Sequence, residues 1–263
     1  MPRLIWDNTA ERVFYTGVDH GVLYLVDKNN AYSGGVVWNG LTQVTESPDG
    51  AEATDLWADN IKYASFRSAE KFGGTIEAYM FPNEFCECDG GKELLPGVRV
   101  GQQPRRKFGL CYRTKIGDDL HGDSAGYELH LVYGATASPT DKQYQTTNDS
   151  PDAATMSWEF EADPVVVTGE KPTANLVIDS RLVDADKLAK LEDVLYGTYE
   201  KLTASPDDWS TNYKNYFELD AETNIYKPVT GSVAPSWTAN KYYKAVDARL
   251  PLPDEVKSIL SAS

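Results

Sequence analysis

Short runs of alternating apolar and polar residues, separated by turn dipeptides, dominate the chain. Residues 13–27 (VFYTGVDHGVLYLVD) read as two strands around a glycine-containing turn. Residues 34–47 read as a strand broken at Asn39-Gly40, a strong turn signal. Further strands are predicted in 73–81 (GGTIEAYMF), 107–117 (KFGLCYRTKIG), 126–134 (GYELHLVYG), 154–167 and 173–179. In the 126–134 run, Tyr127, Leu129, Leu131 and Tyr133 fall on one face and Glu128, His130 and Val132 on the other. The expectation is one packed face and one hydrated face.

Two segments carry a helical period instead. In DADKLAKLEDVLYG, Leu188, Leu191 and Leu195 share a stripe; Asp184 or Asp186 can cap the start and Gly197 can end it. In PDEVKSILS, Val256, Ile259 and Leu260 can share a face. Between them, residues 205–244 are rich in tyrosine and contain a weak internal echo, DWSTNYKNYFELD and SWTANKYYKAVD. Each copy runs from Trp through Asn to a pair of aromatics, which predicts a duplicated small β element whose rings pack a minimal core or bind sugar. The pattern as a whole predicts a mainly β chain with antiparallel pairing.

Composition narrows this reading. Hydrophobic residues at 41% and aromatics at 11% suit a folded β-rich protein rather than a disordered one. No apolar run approaches the roughly 20 residues that span a bilayer, and no membrane partner is expected. The N-terminal stretch has no signal-peptide pattern, so synthesis in the cytoplasm is the expectation. A net charge of −15 makes nonspecific binding to nucleic acid unfavourable. It fits plain solubility, and it also fits a surface that repels polyanions.

Little in the chain points to catalysis. There is no G-x-S-x-G, H-E-x-x-H, P-loop or G-x-G-x-x-G, and His20, His121 and His130 are scattered. No catalytic residue, cofactor or metal is assigned, and no enzyme is expected. Cys86, Cys88 and Cys111 are an odd set without zinc-ligand spacing, so reduced thiols are the reading; a site adding His130 is the only metal arrangement that can be drawn. Glu159 and Glu161 could suggest a glycosidase pair, but they point away from Met156, Trp158 and Phe160 and read as a solvated face. Glu77 and Glu128 repeat that design, with a carboxylate between apolar neighbours.

Longer stretches resemble a known family. W-N-G-L (38–41), A-D-N-I-K-Y (58–63), V-Y-G-A-T-A-S-P (132–139), N-D-S-P (148–151) and the closing ARLPLPDEVKSIL (248–260) resemble the major tail (tube) proteins of long-tailed, non-contractile bacteriophages. The resemblance covers most of the chain in order, and residues 205–244 depart from it as an inserted β element within a tail-tube domain of 1–204 and 245–263. It implies a β-sandwich or barrel with a flanking α-helix, whose strands join into a hexameric inner barrel. It also implies a structural virion protein, assembled in the host cytoplasm, that polymerises as stacked hexameric rings into a conduit for DNA ejection. The implied partners are further copies, tape measure protein, tail terminator and tip proteins, and double-stranded DNA that passes without specific binding.

On that basis Glu77, Glu128, His130, Glu159 and Glu161 are candidate lumen residues from strand parity. The turn-rich segment 45–60, with Asp49, Leu56 and Trp57, and the loop at Ser138 and Pro139 are candidate inter-ring or inter-subunit contacts. The competing expectation is a carbohydrate- or surface-binding β module built on residues 205–244, a role that an insertion on a tube exterior could combine with the first.

Overall fold

The computed structural model describes residues 12–50, 52–143, 146, 153–231 and 233–262. The N-terminal stretch up to residue 11 and the N-D-S-P motif lie outside the described residues. In chain order the elements begin with β1 (Val13–Val26), β2 (Tyr32–Trp38), β3 (Leu41–Glu46), β4 (Asp49–Gly50), β5 (Ala53–Ala58), β6 (Ile61–Arg67) and β7 (Glu70–Ala78). A 3-10 turn (Asn83–Glu87) leads to β8 (Lys92–Leu95), β9 (Val98–Val100), β10 (Phe108–Asp118), β11 (Gly122–Ala137), β12 (Met156–Ala162) and β13 (Asn175–Asp179). Then come α1 (Ala185–Tyr196), β14 (Thr198–Lys201) and α2 (Trp209–Asn212). β15 (Tyr216–Asp220), β16 (Ile225–Pro228), β17 (Tyr242–Val246), β18 (Arg249–Leu250) and α3 (Pro253–Ser261) complete the described chain.

The fold is mainly β and antiparallel, as the alternation predicts. The principal sheet runs β18-β2-β1-β10-β11-β12-β7-β3, with β13 added to β11 and β4 to β7. It curls until β3 lies beside β1, where a side chain at Gly21 would collide with Leu41. No ladder joins β1 to β3 among the described residues, so the curl is not a closed barrel. Inside it, Trp38, Phe85, Phe108 and Trp158 fill one end at tilted or edge-on ring contacts of 4.5–5.8 Å.

The outer face of β1, β10 and β11 is covered by helices. Leu188, Leu191 and Leu195 of α1 and Val256 of α3 pack on Tyr24, Cys111, Leu129, Leu131 and Tyr133. Of the two caps the sequence offers for helix α1 the structure uses Asp184, which accepts from the backbone N–H groups of Asp186 and Lys187, and Gly197 ends the helix at φ 81°. The Tyr24 hydroxyl donates to the Leu195 carbonyl at 2.5 Å, tying strand to helix end.

Two expectations are corrected. Residues 13–26 form one long strand rather than two, because the glycines serve bulges: the β1–β10 register shifts at Gly17 (φ 44°) and again between Asp19 and Val22. The Asn39-Gly40 turn is present, but β2 pairs with β1 and β3 with β7, so it passes the chain across the curl instead of closing a hairpin.

The aromatic-rich stretch forms its own sheet, ordered β14-β17-β15-β16 and extending from Thr198 to Val246. The echoed aromatic pairs lie on adjacent antiparallel strands. Tyr216 and Tyr242 turn inward onto Trp209, Tyr213 and Val229, while Phe217 and Tyr243 face the other side.

Candidate assembly surfaces

Strands β3, β7 and β12 have only one covered face. Ile76, Trp158 and Phe160 point into the curl, so their neighbours must point out. Ladder register places Ser157 opposite Glu77, Glu159 opposite Thr75, and Glu161 opposite Gly73, with Gln43 and Thr45 continuing the row on β3. Glu77, Glu159 and Glu161 therefore share one hydrated sheet face. Glu159 and Glu161 are exposed and Glu77 is half-buried.

A shallow groove of about 270 Å³ crosses the same face, lined among others by Asp49, Lys71, Gly73, Ser138, Glu159 and Glu161. It brings two of the predicted contact residues, Asp49 and Ser138, beside two of the predicted lumen residues. A side chain at Gly74 would strike the Thr45 carbonyl oxygen and the Phe160 ring, so β3 can lie close to β7 only because that position carries none.

Glu128 and His130 lie elsewhere, and the expectation of a hydrated face on β11 is corrected. Both faces of that strand are covered: Leu129 and Leu131 by helices, Val132 by the inside of the curl. A register shift near Tyr133 and Gly134 keeps Ala135 and Ala137 on the same inner side as Val132. The side chains of His130 and Glu128 are only 13% and 16% exposed. They close the polar end of the curl.

The Tyr112 hydroxyl donates to Glu46 Oε1 at 2.6 Å, and its ring stacks on His130 at 4.6 Å. His130 places Nδ1 3.1 Å from Glu46 Oε1 and Nε2 2.9 Å from Thr114 Oγ1. A ring carrying its proton on Nδ1 donates to the carboxylate and accepts the threonine hydroxyl. Tyr15 donates to Glu128 Oε1 at 2.9 Å. The hydrogen bond from His130 holds the Glu46 carboxyl below the ordinary glutamate range, against the opposing effect of desolvation and with help from Tyr112.

Leu56 and Trp57 belong to a two-stranded ribbon, β5–β6, rather than to an irregular loop. Asp59 and Asn60 turn it, both at positive φ (51° and 62°), the conformation a tight hairpin requires. The ladder puts Thr54 opposite Phe66, Leu56 opposite Ala64, and Ala58 opposite Ile61. One ribbon face is thus Leu56, Ala58, Ile61, Ala64 and Phe66. Leu56, Ile61 and Phe66 are 45%, 62% and 61% exposed, and none joins a buried cluster. The other face carries Trp57 and an Asp55–Lys62 ion pair at 2.7 Å. Ile61 and Phe66 were missed in the sequence; the Asp59-Asn60 dipeptide between two alternating runs was the available signal.

The loop at Ser138 and Pro139 is strapped to its surroundings. Ser138 N–H donates to the Glu159 carbonyl at 2.7 Å and Thr140 Oγ1 to the Ser157 carbonyl at 2.9 Å. Asp89 then holds both Arg105 and Lys142. Pro139 itself is exposed.

The cysteines do not gather with His130: Cys111 faces α1, His130 faces the inside of the curl, and Cys86 and Cys88 sit on the 3-10 turn and its end. Burial pushes the Cys88 and Cys111 thiols up to about 12. In the aromatic sheet, the outward rings turn on one another: Tyr199 stacks on Tyr226 at 4.1 Å and meets Phe217 at 4.9 Å.

No protein-family model matches the sequence, and no curated relative does. Among solved structures, a chain of an extracellular contractile injection system, the PVC sheath–tube complex in its extended state, is similar over 61% of this chain and 88% of its own. The two are 10% identical with a TM-score of 0.26, a level that does not establish a shared fold.

Proposed function

We propose that the chain is a structural virion protein of the tail-tube type, which polymerises as stacked hexameric rings into the conduit for DNA ejection. The observation that carries this reading is the ribbon β5–β6, whose apolar face is exposed to solvent and joins no buried cluster among the described residues. Contiguous exposed apolar surface of that kind marks a contact with another molecule.

Unpaired strand edges support assembly as well. Among the described residues the first half of β1 pairs only with β10, and β3 only with β7, so each offers there a row of backbone donors and acceptors. Neighbouring copies that pair along such edges remove them and build a continuous wall. The face carrying Glu77, Glu159 and Glu161 suits the inside of that wall. Carboxylates there repel phosphates within a Debye length of about 8 Å, where adhesion would otherwise begin.

In this reading the tape measure protein occupies the bore during assembly, terminator and tip proteins bind the ends, and DNA passes without being held. The subunit is made in the host cytoplasm and ends in the virion tail, without a contractile sheath. Negative-stain microscopy of the purified chain over a concentration series tests the proposal. Rings or hollow tubes are the expected result; a chain that stays monomeric at every concentration in sedimentation velocity overturns it.

A further inference from the structure

A second apolar hairpin follows the far end of β7, where Arg99 reaches back to Asn83. Strands β8 and β9 pair through a Pro96-Gly97 turn, with Gly97 at φ 83°. Leu94, Leu95 and Val98 are all exposed and join no buried cluster. The two hairpins are separated by β7, which begins at the root of β5–β6 and ends at Ala78, just before the 3-10 turn that leads into β8. Nine residues of strand span roughly 30 Å.

The hairpins are also opposite in charge. Residues 52–67 hold three acids (Glu52, Asp55, Asp59) and two bases (Lys62, Arg67), a net of −1. Residues 92–100 hold two bases (Lys92, Arg99) and one acid (Glu93), a net of +1. Within the first, Asp55 is already paired with Lys62, which leaves Glu52, Asp59 and Arg67 without an ion-pair partner among the described residues, a net of −1. Within the second, Glu93 accepts from the Gly97 N–H at 2.9 Å, and Arg99 donates only to the neutral Asn83 amide.

We infer that the hairpin β8–β9 of one copy receives the apolar face of the ribbon β5–β6 of the next copy, a head-to-tail contact between the hairpins that lie beyond the two ends of β7. Two different surfaces joined in this way make a heterologous interface, which propagates as a ring or a stack instead of stopping at a dimer. Leu56, Ile61 and Phe66 supply one apolar side, and Leu94, Leu95 and Val98 the other. Lys92 and Arg99 meet Asp59 at the ribbon's tip, away from the root, where Glu52 stands beside Arg67. The inference rests on the self-assembly reading above and names the partner surface for the ribbon.

Cysteine crosslinking tests it in the full chain, with Cys86→Ser as background. Chains carrying F66C are mixed with chains carrying L94C under mild oxidation, and each is also oxidised alone. Disulfide-linked pairs are expected in the mixture at least about tenfold above either chain alone. In parallel, K92E/R99E should raise the concentration needed for association about tenfold, with most of the difference lost at high salt. F66C chains that link to one another as readily as to L94C chains overturn the head-to-tail pairing, as does unchanged association of K92E/R99E. Either result leaves the tube reading standing if the parent chain still assembles. A parent chain that never associates overturns both.

Discussion

Replacing Leu56 and Phe66 together by serine separates assembly from folding. Both lie on the apolar face of β5–β6, with 45% and 61% of their surface exposed. Taking a fully exposed side chain of this kind out of water is worth about 1.5–3 kcal/mol, so covering the exposed half of each gains about 1 kcal/mol. Serine forfeits nearly all of it at both positions. A loss of about 2 kcal/mol raises the association midpoint about 30-fold. Folding is a different matter, because neither side chain belongs to a buried cluster. Unfolding stability of the dilute chain should change by no more than about 0.5 kcal/mol. Leu191→Ala is the converse control: that residue is fully buried on the sheet-facing side of α1 and its loss should cost about 2–5 kcal/mol of stability. A sedimentation dilution series reads association, and urea denaturation reads stability. If L56S/F66S associates like the parent chain, the ribbon face is not an interface and the reasoning fails. A drop in stability of several kcal/mol would show instead that the ribbon packs within its own chain.

Three further outcomes are expected. Reversing the acidic face (E77K/E159K/E161K) should give assemblies that retain double-stranded DNA in filter binding, with retention falling steeply as salt rises; salt-independent or absent retention counts against that face as the bore. Glu46→Gln should flatten the acid limb of stability. The folded-state pKa of Glu46 lies below the usual 4.5, so its contribution is full above that value and is lost as pH falls through the depressed one. Parent and variant should therefore converge in stepwise denaturation between about pH 6 and about pH 3, and a constant gap refutes the assignment. Native chain should expose one thiol to an aromatic disulfide reagent, Cys86, and denatured chain three, because Cys88 and Cys111 are buried with pKa values pushed up to about 12.

What was legible in the sequence was local. Helix α1 was legible to within one choice of cap, Asp184 or Asp186, since the cap, the leucine stripe and Gly197 act within one turn of themselves. Most strands were legible too, and the carboxylates of β12 were correctly placed on its solvent side because Trp158 and Phe160 are the only apolar choice for the inside. The fate of Glu128 and His130 was not legible. Whether β11 has one covered face or two depends on β3 swinging across the curl to bring Glu46 to His130, a contact between residues 84 positions apart. The bulges in β1 and β11 hide parity in the same way, since one extra residue reverses every later side chain.

The ribbon exposes a different limit. Leu56, Ala58, Ile61, Ala64 and Phe66 line up as neatly as any strand face that packs on the core, yet no buried cluster includes them. Alternation in a sequence records which face is to be covered; it does not say whether the cover belongs to the same chain. In β11 the cover is intramolecular on both sides, through α1 on one and, on the other, through Glu46 of β3 and the ring cluster inside the curl. In β5–β6 the same pattern is left without one, and so is the hairpin at the far end of β7. A chain that repeats its core-facing pattern on two exposed hairpins of opposite charge, one beyond each end of a single strand, has the surfaces needed to bury each against the next copy, and a heterologous contact of that kind continues from subunit to subunit.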